Sequence, residues 1–337
     1  METIIQILAR ELDRPEQHIE NIITLLDEGN TVPFIARYRK ELHGAMDDQL
    51  IRQLADRLQY LRNLQTRRDE VKQSIENQGK LTDELSAAID AASTLAEVED
   101  LYRPYKQKRR TRATMAREKG LEPLAELAFA IGPAVDLEAA AQDYIGPEKG
   151  VETAEDALQG ASDIVAEWIS DDADVRKLLR ELYWRRAVIV SKAAAKEPED
   201  SVYRLYYEFS SPVSKTQGHQ ILAMNRGERE EILKVDVEMD RETALVALRR
   251  RAVPGRAAME FVRAAAEDAY DRLIAPSLER ELRGELTDRA SEGAIGQFAL
   301  NLKPLLMQPP VKGFVTMGLD PGYRMGCKVA VVDPTGK

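Results

Sequence analysis

Cysteine, histidine, aromatic residues and long apolar runs are all scarce in this chain. One cysteine, Cys327, in 337 residues excludes an internal disulfide. Three scattered histidines, His18, His43 and His219, give no zinc-ligand spacing. No apolar run approaches the roughly 18 residues that cross a bilayer, so no membrane partner is expected. The N-terminal stretch METIIQILARELDRPEQ carries acids among its apolar residues and does not read as a signal peptide. With neither disulfide nor secretory signal, the expected location is cytoplasmic. Aromatics make up only 6% of the chain, while Leu, Ala, Arg and Glu dominate, which points to helices.

What is present is charge, unevenly spread. The net charge of −10 argues against uniform attraction to nucleic acid. Residues 101–119, LYRPYKQKRRTRATMAREK, nevertheless hold eight Lys/Arg and one Glu, a local +7. A basic stretch this dense on an acidic chain is a candidate electrostatic footprint.

The pattern along the chain is mainly α. Ile4, Ile5, Leu8 and Leu12 repeat at helical spacing, as do Ile19, Ile22, Ile23 and Leu26. Gly29 and Gly44 punctuate the next short helices, which gives residues 1–45 a helix-turn-helix character. Leu54, Leu61, Leu64, Val71 and Ile75 predict one long helix over 47–78, with Arg68 interrupting its apolar seam and Gly79 ending it. Thr82 starts the next helix, and Thr94-Leu-Ala-Glu97 reads as a capping box. Pro104 breaks the helix at the basic stretch. Residues 172–193 read as the last helix of this set, and Trp168 and Trp184 as core. Alternation then predicts strands at Val202–Phe209 and 232–240, around a short helix in HQILAMNRGEREE, forming a small β-containing insert. The helical pattern resumes at Glu242 and includes a long helix over 258–303, kinked at Pro276.

Two places could carry chemistry. The first is FVTMGLDPGYRMGCKVAVVD, residues 314–333, which reads as two strands joined by a Gly-bearing turn. Asp320 ends the first strand, where RNase H-like domains present their first metal-binding carboxylate. The alternative is that Asp320 only caps the D-P-G turn. Two-metal chemistry needs several carboxylates held together, and only Asp320 has the right placement, so this chain is not expected to be an enzyme, to hold a metal or to need a cofactor. A two-stranded hairpin is marginal alone, so the stretch is expected to open a domain that continues elsewhere. Gly322–Lys328 lacks the P-loop spacing and precedes a strand, not a helix. The second place is the basic run. Arg103, Lys106, Lys108, Arg109, Arg110 and Arg112 could pair phosphates, with Tyr102 and Tyr105 stacking. They could equally neutralise Glu97, Glu99 and Asp100, or line a solvated face. Arg249, Arg250, Arg251 and Arg256 form a weaker cluster.

The segments GNTVPFIARYRKE (29–41), LYRPYKQKRRTRATMAREKGLEPLA (101–125), NRGERE (225–230) and GLDPGYRMGCKVAVVD (318–333) resemble the Tex family of bacterial transcription accessory proteins. The resemblance runs in order along the whole chain. It implies a helical N-terminal domain at 1–199, a small α+β insert at 200–240, a long-helix region at 241–310, and the first hairpin of a truncated RNase H-like (YqgF-type) domain at 311–337. It also implies nucleic-acid binding, RNA or DNA, and work alongside RNA polymerase or other transcription machinery. The family's S1 RNA-binding domain has no counterpart in these residues. The rival readings are a structure-specific nuclease in a longer protein, using Asp320, and a purely protein-binding scaffold.

Overall fold

The computed structural model describes residues 2–194, 201–309, 313–322 and 326–337. The boundaries expected at 199/200 and 310/311 and the hairpin tip at 323–325 lie outside the described residues. The rest is mainly α, with two small sheets. It divides into two units, Met1–Glu181 with Glu242–Ile274, and Leu182–Arg241 with Ala275–Lys337.

The first unit opens with α1 (Ile4–Leu12), α2 (Glu16–Asp27), α3 (Val32–Tyr38) and α4 (Lys40–His43), packed on the first half of α5 (Asp48–Glu76). Leu8, Ile19, Ile22, Ile35, Ile51 and Leu54 form their shared core. Thr3 and Asp47 start α1 and α5 by accepting the Gln6 and Leu50 N–H groups. At 1.5 Å per residue α5 is about 43 Å long, too long for one small core. Its second half buries Leu64, Val71 and Ile75 against Ile89 of α6 (Asp83–Ala91) and Val98 of α7 (Leu95–Tyr102). Arg68, the interruption in the seam, reaches across to donate to the Ala92 carbonyl at 2.7 Å, at the end of α6. Thr94 caps α7 as expected, but the reciprocal bond differs. The Glu97 carboxylate accepts from the Ser93 N–H at 2.7 Å, one residue before the cap.

Five helices follow: α8 (Arg112–Glu118), α9 (Glu122–Phe129), α10 (Leu137–Ala141), α11 (Ala154–Asp171) and α12 (Ala173–Arg186). The expected helix over 172–193 stops early. Its last residues form β1 (Val188–Ala193), because the β-branched run Val188-Ile189-Val190 fits a half-buried pleat better than a helix. The expected strand Val202–Phe209 also shifts. Residues 204–206 make a 3₁₀ turn, and β2 is Glu208–Pro212. Aromatic alternation alone did not separate turn from strand there. After α13 (Gly218–Arg229), β3 (Leu233–Glu238) completes an antiparallel sheet of order β2-β1-β3, with Val190 paired to both Ser210 and Asp236.

The chain then returns to the first unit as α14 (Arg241–Ala252) and α15 (Met259–Asp268). A π-helical turn at Ala269–Ile274 follows, ending two residues before Pro276. Proline there has no N–H for the Arg272 carbonyl, and its ring crowds that turn, so the helix widens. In the second unit α16 (Ala275–Leu306) buries Leu278, Leu282, Leu286 and Ala290 and packs on α13 and β3. Gly218 lies so close to α16 that a Cβ would sit 3.3 Å from the Ala290 Cα. The final hairpin is β4 (Thr316–Asp320) with β5 (Lys328–Val332), and Asp320 pairs in register with Lys328. Trp168 and Trp184 are only half-buried. Trp168 leans on Phe129, and Trp184 lies beneath the Arg289 guanidinium.

The turn after α4 generates a test. Gly44 has φ +62°, and a Cβ there would lie 2.4 Å from the His18 ring, whereas Gly79, at φ +67°, has open space. Gly44→Ala is expected to destabilise by about 2 kcal/mol or more, combining backbone strain with the clash. Gly79→Ala should cost only about 1 kcal/mol, from the left-handed backbone alone. Urea midpoints of the two variants check this; equal losses would mean the His18 contact does not shape the turn.

Candidate nucleic-acid interface

The basic stretch is tied down at both ends. Pro104 ends α7 and sets a 3₁₀ turn at Arg103–Tyr105. Ser74 and Gln78, near the end of α5, hold this turn through the Tyr102 hydroxyl at 2.9 Å and the Tyr105 carbonyl at 3.0 Å. Thr111 then caps α8 in a reciprocal box with Thr114, and its hydroxyl donates to Glu167 at 3.1 Å.

Between these anchors the stretch lies over two carboxylates of α11. Glu167 and Asp171 are four residues apart, so they share one helix face, and both are buried. Asp171 accepts from Arg103 Nε at 3.2 Å and from the Lys108 ammonium. Lys108 also lies 3.6 Å from Glu167. Glu167 accepts from Arg117 Nη1 at 2.7 Å, and Arg117 reaches Glu122 at 3.0 Å. The cleft beside this network has a volume of about 620 Å³ and is lined by Lys80, Tyr105, Lys106, Lys108, Arg117 and Trp168.

The two carboxyls feel this setting differently. Burial pushes Asp171 above its ordinary value, against the pull of Lys108 and Arg103. Burial also works upward on Glu167, but the Arg117 hydrogen bond, with Lys108 and Thr111, outweighs it and leaves Glu167 below its ordinary value. Asp163, one turn earlier, is raised by burial despite Arg272 and Arg112 nearby.

The six candidate cations therefore fall into two groups. Arg103 and Lys108 face inward, onto Asp171. Lys106 is exposed and 3.9 Å from Glu99. Arg109, Arg110 and Arg112 are exposed and close no ion pair among the described residues. The acids nearest in sequence are engaged chiefly elsewhere. Glu97 pairs with Lys177, Glu99 with Arg67, and buried Asp100 with Arg176 and Arg180. The carboxylates that hold the stretch lie some sixty residues downstream, at Glu167 and Asp171, which no local reading of 101–119 could reach. The one available signal was their i, i+4 spacing among the apolar residues Ile164, Val165, Ala166 and Ile169.

The weaker arginine cluster is largely used up within the first unit. Arg249 bridges Glu242 and Glu267, and Arg251 pairs with Asp174. Arg256 donates to the Phe129 carbonyl at 2.7 Å with its guanidinium 3.6 Å over that ring. Asp320 is exposed at the end of β4, and among the described residues no three His, Cys, Asp or Glu side chains gather as a metal site. Asp333 accepts from the Thr335 N–H and hydroxyl and the Lys337 N–H, and these bonds hold its carboxyl below the ordinary value. Among the described residues no helix is long and apolar enough to cross a membrane.

Comparison with known proteins adds a family. Residues 2–76 match the Tex-like protein N-terminal domain, and residues 132–298 match the Tex central region. Protein YdcI of Bacillus subtilis, itself uncharacterized, is 47% identical over 336 residues, covering 98% of this chain and 47% of that protein. The transcriptional accessory protein Tex of Neisseria gonorrhoeae is 42% identical over 345 residues, covering 99% of this chain and 45% of that one. The human S1 RNA-binding domain-containing protein 1 is 34% identical over 351 residues, with 99% and 35% covered. The chain thus spans less than half the length of these relatives.

Glu167→Gln should remove one charge from a buried network and leave Arg117 undercompensated. A loss of about 3 kcal/mol is expected at neutral pH. Because the folded Glu167 carboxyl lies below 4.5, its contribution is present above pH 4.5 and lost as pH falls through the folded value. Asp171 runs the other way: the cost of burying its charge is relieved as pH falls through its raised folded value. Denaturation from pH 7 downward should therefore show the gap between wild type and Glu167→Gln shrinking below pH 4.5. A constant gap would mean Glu167 contributes only shape.

Proposed function

The chain belongs to the Tex family of transcription accessory proteins, and we propose that it is the helical scaffold of such a protein and contacts nucleic acid through Lys106, Arg109, Arg110 and Arg112. The observation that carries this reading is that Arg109, Arg110 and Arg112 are exposed and close no ion pair among the described residues, on a segment fixed from beneath by Glu167 and Asp171, Arg112 being also near the buried Asp163. On a chain of net charge −10, free cations held in place are available to phosphates, and releasing counterions drives such binding. The names of two relatives support it, one as a transcriptional accessory protein and one for an S1 RNA-binding domain.

The same reading takes RNA or DNA as the ligand, RNA polymerase or other transcription machinery as protein partners, and the cytoplasm as the location. It treats α1–α4 as the region of helix-turn-helix character. It takes β4 and β5 as the opening hairpin of an RNase H-like domain, with Asp320 at the position of that fold's first carboxylate. Met317, Leu319, Val329 and Val331 are more than half exposed on this hairpin, as expected for strands that belong to a larger sheet. The role assigned to this chain is binding rather than catalysis.

Oligonucleotide affinity across a salt series tests the interface. Arg109→Ala/Arg110→Ala/Arg112→Ala should weaken binding and flatten the slope of log K against log salt by roughly 2 to 3. Lys108→Ala should mainly lower stability, because its ammonium is spent on Asp171. An unchanged affinity and slope in the triple variant would overturn the reading.

A further inference from the structure

A second cationic surface lies at the other end of α5, on the elbow between α3 and α4. Segment 31–43, TVPFIARYRKELH, contains Arg37, Arg39 and Lys40 and one acid, Glu41. Several cations of this helical cluster close on carboxylates: Arg10 on Glu2, Arg57 on Glu11, Arg62 on Asp27, and Arg67 on Glu70 and Glu99, whereas Arg14 and Arg52 are exposed and close no ion pair among the described residues. Arg37 and Lys40 are exposed and close no ion pair among the described residues. Arg39 donates to the Tyr38 carbonyl at 3.2 Å and lies 5.3 Å over the Phe34 ring.

These cations lie next to a displayed aromatic along the chain. Tyr38 is 57% exposed, with its ring 5.3 Å from that of Phe34 and tilted by 48°. The display is rigid from below. Ile35 is fully buried, and its carbonyl accepts both the Arg39 N–H at 3.0 Å and the buried His43 ring at 3.1 Å, so His43 Nε2 carries the proton. Arg39 leaves helical geometry, which ends α3 and turns the Tyr38 side of the elbow outward. An exposed ring one residue from Arg37 and two from Lys40 along the chain, neither cation in an ion pair among the described residues, brings together the two elements of a single-strand binding platform: a π-face for a base and charges for the phosphates beside it.

The geometry points to the α3–α4 elbow as a second nucleic-acid contact, in which Tyr38 stacks on an unpaired base while Arg37 and Lys40 hold the adjoining phosphates. It rests on the nucleic-acid reading above and adds the class of ligand: a single strand, because a base inside a duplex has no free face for Tyr38. The Ser74 and Gln78 contacts put the first surface at the C-terminal end of α5, while α3 packs with Ile51 and Leu54 near its start. The two surfaces share no side chain, so their effects on binding should add.

Binding of a fluorescein-labelled oligothymidylate to the full chain tests it. Tyr38→Ala should weaken binding about tenfold with little change in salt slope, and Tyr38→Phe should retain it. Arg37→Ala/Lys40→Ala should lower the slope by about 1.4. If both elbow variants bind as wild type while Arg109→Ala/Arg110→Ala/Arg112→Ala is impaired, the elbow is not a contact and the first interface stands. If none of the three variants differs from wild type, both proposals fall. If the elbow variants lose affinity for polyglutamate but keep it for the oligonucleotide, the elbow serves an acidic peptide and the inference is wrong. If Tyr38→Ala weakens a hairpin duplex as much as the single strand, stacking is not the mode of binding and the inference is likewise wrong. Unfolding midpoints within error of wild type confirm that each variant is folded.

Discussion

Two carboxylates on one face of a buried helix govern the most charged segment of this chain. Glu167 and Asp171 would be expensive to bury alone. Arg103, Lys108, Arg117 and the Thr111 hydroxyl close around them. The arrangement does not make the fold much more stable than an apolar contact would, since desolvation offsets most of the attraction. What it does is fix position. With inward cations clamped on α11, a segment of proline, arginine and lysine becomes an ordered ledge, and its remaining guanidinium groups face solvent in a defined place.

The length of α5 sets where the charged surfaces can stand. One half of it belongs to the core around Leu8, Ile19 and Leu54, the other to the core around Val71, Ile75 and Val98. The ion pairs along it, such as Arg57 with Glu11 and Arg62 with Asp27, are largely exposed. They contribute little to stability. Their effect is to neutralise Arg57, Arg62 and Arg67 on an acidic protein. Arg37 and Lys40 at one end of the helix, and Arg109, Arg110 and Arg112 beyond the other, are exposed and close no ion pair among the described residues.

Much of this was legible in the sequence, and the misses have physical causes. The long helix, its glycine stop, the threonine caps, the period-two strand β3 and the terminal hairpin all follow from local pattern. The swap of helix for strand at Val188–Ala193 did not, because a run of alanine and β-branched residues satisfies either period until its tertiary partners, β2 and β3, are known. Nor did the discontinuous first unit, in which Glu242–Ile274 rejoins Met1–Glu181. The basic stretch was visible as a composition. Which of its cations are structural was not, because Glu167 and Asp171 meet it only through folding, and the acids close in sequence are mostly taken by Arg67, Arg176, Arg180 and Lys177.

The central claim is that the buried pair orders the basic stretch and thereby presents its free arginines. Amide hydrogen exchange of the wild type and Asp171→Asn compares the two states directly. Loss of the Asp171 charge should release Arg103 and Lys108, so exchange should rise across residues 103–112 while the α5 amides, which rely on other contacts, stay protected. Protection of 103–112 unchanged by the substitution would contradict the account, because the ledge would then hold its shape without the interaction said to form it.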